Sequence, residues 1–151
     1  MTDKIKNIKK LLLADWDLLT EAKNIFLHSS ADCSAIEDVE GLQLHELDKM
    51  EAYTARFARM LDFYIQKILK GIDKIEANSP GTLKDILNRA VQAGLIQNAE
   101  ELLELKIYRN EIVHDYIQYS QRKIFFEIRT KEPFLLDCIS MTGTYISKLD
   151  G

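Results

Sequence analysis

The sequence predicts an all-α protein: an antiparallel bundle of about five to six helices in a single domain spanning residues 1–151. Three observations lead there. Apolar residues recur at spacings of three and four over long stretches, which is the helical period. Breakers are scarce, with 6 Gly and 2 Pro in 151 residues. The 46% hydrophobic and 29% charged composition is that of a chain that buries a core, not of a disordered one.

The elements follow in order. Ile5, Ile8, Leu12, Leu19, Ala22 and Phe26 repeat at helical spacing, with Leu11, Leu18 and Ile25 beside them, and predict a first helix from about Thr2 to His28. Thr2 suits its cap. From Ser29 to Gly41 the periodicity is lost and polar residues gather, which predicts the longest connection of the chain. Leu47, Met50, Phe57, Met60, Leu61, Tyr64, Ile65, Ile68, Ile72 and Ile75 then form one stripe of a long helix from about His45 to Ala77. Gly71 inside it costs about 1 kcal/mol relative to Ala, an expense that fits close approach of a neighbour. Asn78-Ser79-Pro80-Gly81 breaks the chain, Thr82 caps a short helix to about Ala93, and Gly94 suits its left-handed end. Asn98 with Glu101 three residues on predicts the start of the next helix. Ser120 opens a further one, in which Pro133 either kinks the rod or occupies the first turn of a last helix reaching about Leu149. Ile124, Phe125, Phe126 and Ile128 would have no partner as a strand, so they are read as helix too.

Charge and cysteine usage narrow the function. A formal net charge of −4 gives no global positive field for nonspecific nucleic-acid binding, so any RNA contact must be local. Lys4, Lys6, Lys9 and Lys10, then Arg56 and Arg59, then Arg122, Lys123, Arg129 and Lys131, read foremost as solvated helix faces. Cys33 and Cys138 are far apart and lack metal-like companions, so neither a disulfide scaffold nor a metal site is expected, and no cofactor is implied. No run of 18 apolar residues and no leader pattern occurs, and the expectation is a cytoplasmic protein with no membrane partner.

Chemistry is concentrated in Arg109-Asn110-Glu111-Ile112-Val113-His114-Asp115-Tyr116, an R-x4-H-x-Y pattern. On a helix advancing about 100° per residue, Leu102, Leu105, Arg109, Ile112, Val113 and Tyr116 fall within about 60° of one line. Arg109 therefore sits in an apolar stripe. Leu103, Ile107, Asn110 and His114 form a second row about 120 to 160° away, so this helix is expected to touch protein on two sides. A guanidinium on a core stripe is costly unless it reaches an anion or hydrogen-bond acceptors, which suggests a pocket where a phosphate could sit, and His114 lies one turn from the Asn110 amide. The plain alternative is a snorkelling Arg, an interior His and a core Tyr.

With those residues in place the chain resembles the HEPN superfamily, helical bundles with a late R-x4-H motif and often a polar residue after the Arg. Arg109, Asn110 and His114 match that pattern, and Tyr116 extends it to the form found in HepT-type toxins. The resemblance implies a homodimer whose paired motif helices build a composite, metal-independent endoribonuclease cleft. There His114 would act as general acid or base, Arg109 would stabilise phosphate charge, and Asn110 would orient or contact the phosphate. It also implies a nucleotidyltransferase antitoxin partner that transfers AMP to Tyr116. Two other readings stand beside it: a non-catalytic HEPN module that binds nucleotide or such a partner, and a helical dimerisation module without chemistry.

Overall fold

The long apolar stripes read from the sequence become five rods packed around one core, and no strand occurs among the described residues. The computed structural model describes residues 2–38, 40–76, 79–114 and 118–149, with the backbone alone for 118–121. Helix α1 (Asp3–Asp32) begins at Thr2, whose Oγ1 accepts the Ile5 N–H at 3.3 Å. It runs one turn beyond the expected end, because Ser29 is buried and accepts a 2.6 Å bond from Arg56 Nη1, so its polarity does not mark a loop. The connection to α2 (Leu44–Phe63) is correspondingly shorter and closes with a Gln43–Glu46 capping box.

The second rod is not uniform. Helix α2 passes into a π-helical turn (Tyr64–Leu69), in which Lys70 N–H reaches back five residues to Ile65 O, and then into α3 (Lys70–Ile75). This turn buries Tyr64, Ile65, Ile68 and Leu69. Gly71 follows at once. A Cβ there would stand 3.3 Å from Leu12 Cδ1, which is the close approach expected of that glycine.

Helix α4 (Leu83–Gln92) has the Thr82–Asp85 capping box, and Gly94 takes φ +77° after it. Asn98 Oδ1 accepts the Glu101 N–H at 3.0 Å at the start of α5 (Ala99–His114). The last rod, α6 (Gln118–Leu149), is a single helix with Pro133 inside it, not two.

Residue pairs fix the directions. Leu12 meets Gly71, Phe26 meets Tyr53 and Phe57, and Ser29 meets Arg56, so α1 and the second rod are antiparallel. Helix α6 runs antiparallel to α1, with Glu132 at Ser30 and Gly143 at Trp16. Helix α1 packs on α2, α3 and α6, whereas α5 packs on α2, α4 and α6. The core holds the α1 row Leu12, Leu19 and Phe26 together with Tyr53, Phe57, Tyr64 and Phe125. Its buried hydroxyls are matched: Thr142 Oγ1 lies 2.7 Å from Tyr64 Oη and 3.0 Å from Leu95 O.

Candidate functional site

Helix α5 carries apolar residues all round, so one side serves the monomer and another is left over. Leu102 and Leu105 are buried against the bundle, while Ile107 is 56% and Val113 47% exposed. Val113 thus departs from the core stripe assigned to it, and the row Leu103, Ile107, Asn110 and His114 passes from half-buried Leu103 to exposed residues toward the helix end. Tyr116 lies outside the described residues.

Arg109 is where the sequence pattern and the packing meet. Its Nε donates to Asp62 Oδ2 at 2.8 Å and its Nη2 stands 2.6 Å from the same oxygen. Lys106, one turn earlier, reaches Asp62 Oδ1 at 3.4 Å. The anion demanded by a guanidinium on an apolar stripe is therefore an internal carboxylate, at the end of α2 just before the π-helical turn. Arg109 Nη1 points the other way, 3.3 Å from Asn110 Oδ1. One edge of the guanidinium is fixed and the other faces the exposed row. With side chains 25% and 30% exposed, Arg109 and Asp62 sit at the protein boundary, where an incoming anion can still reach the outer edge.

His114 ends the described part of α5 and is exposed. Arg109, Asn110 and His114 share one end of the helix without a direct Arg109 to His114 bond among the described residues. Tyr108 packs against the core and donates to Glu104 Oε1 at 2.7 Å. Burial and that carboxylate hold its hydroxyl protonated well above the ordinary phenol range.

Asp62 and Lys106 are the residues that sequence reasoning passed over. A faint signal existed: Asp62 interrupts the apolar run Met60-Leu61-Asp62-Phe63, but only the packing of α2 on α5 shows what it faces. In the two basic clusters expected to be solvated faces, Arg59 and Lys123 are exposed, while other members are half-buried and engage the chain itself. Arg56 bonds Ser29, Arg129 donates to Ile36 O and lies over the Phe125 and Phe126 rings, and Lys131 pairs with Glu104. Cys33 and Cys138 are both buried free thiols. Among the described residues no group of three His, Cys, Asp or Glu side chains could hold a metal ion, and no helix is long and apolar enough to cross a membrane.

Compared with family models, curated proteins and solved structures, the chain finds no match.

Proposed function

We propose that the protein is a metal-independent endoribonuclease of the HEPN toxin type, with its active cleft completed by a second copy of the chain. The observation that supports this best is the end of α5. An Arg anchored on one edge by Asp62, an amide beside it and an exposed imidazole are set next to apolar Ile107 and Val113, which the monomer leaves uncovered. Joining two such faces would bury the apolar residues and bring two Arg109, Asn110 and His114 sets to one cleft.

In that cleft an RNA phosphate takes the outer guanidinium edges, and an imidazole accepts the proton of the 2′-hydroxyl. The 2′-oxygen bonds to phosphorus, the bond from phosphorus to the 5′-oxygen breaks, and the second copy's imidazole protonates the leaving oxygen. A 2′,3′-cyclic phosphate and a 5′-hydroxyl result. A nucleotidyltransferase antitoxin that places AMP on Tyr116 would add bulk and negative charge where the RNA phosphate binds.

The second reading is a non-catalytic module, and one observation favours it: Asp62 already engages two donors of Arg109, as a purely structural Arg would require. An RNase assay in EDTA separates the two. The parent should cleave single-stranded RNA, and His114→Ala should cleave at least about 100-fold more slowly at unchanged helicity. No cleavage by the parent, or equal cleavage by the variant, removes the ribonuclease reading.

A further inference from the structure

Helix α1 carries two apolar rows about 100° apart, and only one is used by the bundle. Leu12, Leu19 and Phe26 are buried, yet Leu11, Leu18 and Ile25, spaced by sevens beside them, remain 62%, 53% and 45% exposed. Three large hydrophobics in line on one helix are unlike scattered surface apolar residues. They also lie on a different rod from Ile107 and Val113: α1 packs on α2, α3 and α6, and α5 on α2, α4 and α6. The α1 row is a separate surface.

Its charges indicate the occupant. Lys4 and Lys10 lie toward the start of the row with Asp3 beside them, while Glu21 and Asp32 flank its end, so the face is net positive at one end and net negative at the other. We infer that this row pairs with the same row of a second copy, antiparallel, about a two-fold axis at Leu18. That register sets Leu11 against the partner's Ile25 and brings Lys4 level with the partner's Asp32. Lys10 falls between the partner's Glu21 and the partner's Asp32, about 7.5 and 9 Å along the helix from each, within the combined reach of the side chains. A parallel pairing would stack like charges at both ends.

Beside the row lies a groove of about 550 Å³ lined by Asp17, Thr20, Glu21, Asn24, Ile25, His28 and Arg56. Two of its side chains are already engaged within the chain: Arg56 Nη1 with Ser29 Oγ at 2.6 Å, and His28 Nε2 with Asp32 Oδ2 at 3.5 Å. The partner's Leu11 and Lys10 enter this groove in the antiparallel register. Asp17 works against the pairing, since the two-fold brings both copies' Asp17 to the same side of the axis. The contact is about 21 Å long from Leu11 to Ile25 and one helix wide, well short of the roughly 800 Å² per partner of a standard interface. Association through α1 is therefore concentration dependent.

Multi-angle light scattering on the parent from about 1 to 500 μM, with Leu18→Glu and Ile107→Glu, tests it. Leu18→Glu should abolish the concentration-dependent rise in mass, and Ile107→Glu should leave the α1 step intact, which keeps this surface distinguishable from the α5 cleft. Asp17→Asn should tighten association several-fold, and Lys10→Glu should weaken it. For orientation, Leu18→Cys should cross-link to itself under oxidation, and a mixture of Leu11→Cys and Ile25→Cys chains should cross-link to each other. The native thiols are buried and do not compete. A parent still monomeric at the highest concentration, an unchanged mass for folded Leu18→Glu, or dominant self-linking of Leu11→Cys overturns the pairing. So would a monomer that binds anionic vesicles through the same row, which would assign it to a membrane surface.

Discussion

Cutting the Asp62 carboxylate from Arg109 separates a positioned guanidinium from a merely charged one. The pair is neither exposed nor buried, with side chains 25% and 30% exposed and contacts of 2.6 and 2.8 Å. Fully exposed pairs contribute about 0.2 to 1 kcal/mol, and breaking a buried one costs about 3 to 5 kcal/mol. This geometry lies between, so a double-mutant cycle of Asp62→Ala with Arg109→Ala should give a coupling of about 1 to 2 kcal/mol. The two single variants should differ in a definite order. Removing Asp62 leaves Arg109 and Lys106 one helical turn apart with their shared anion gone, whereas removing Arg109 leaves Lys106 still paired at 3.4 Å. Asp62→Ala is the more damaging, with a fall in Tm of about 3 to 8 °C for a domain of this size. Urea titrations followed by circular dichroism, together with thermal melts, measure both. A coupling below about 0.3 kcal/mol, or an Asp62→Ala variant no weaker than Arg109→Ala, would refute the claim that Asp62 anchors the motif arginine. If the ribonuclease reading holds, Asp62→Ala should also lose most of its activity below its Tm, through a misplaced phosphate contact.

Thr142→Val preserves shape but leaves Tyr64 Oη and the Leu95 carbonyl without their partner at 2.7 and 3.0 Å, so unfolding free energy should fall by about 1 to 3 kcal/mol, read from urea midpoints at constant m-value. Burial pushes the Cys138 thiol up from 9.0 to about 11, so its contribution to stability is complete below pH 9 and is lost as pH rises toward 11. Urea midpoints should drop over that window, less steeply in Cys138→Ala, and neither thiol should react with a thiol reagent at pH 8 until the chain unfolds. Rapid native-state labelling of Cys138 would contradict its burial.

The sequence by itself determined what depends on neighbours along the chain. Helical period, the Thr82–Asp85 and Asn98–Glu101 start signals and the left-handed Gly94 are local physics, and the structure has each of them, with no strand among the described residues. Gly71 announced a close approach, although not that Leu12 would make it. What tertiary structure decided is which of several equivalent local choices is satisfied. Helix α1 offers two apolar rows of the same spacing, and only packing on α2, α3 and α6 selects Leu12, Leu19 and Phe26 over Leu11, Leu18 and Ile25. Ser29 reads as loop until Arg56 reaches it, and helix α1 continues through it for that reason. The π-helical turn has no one-residue signature and shows only in the folded bundle, within the buried run Tyr64, Ile65, Ile68 and Leu69. Arg109 on an apolar stripe demanded an anion, and the chain could not say which. Asp62 answers from 47 residues away, because electrostatic pairing acts through space and the α2–α5 contact exists only in the folded bundle.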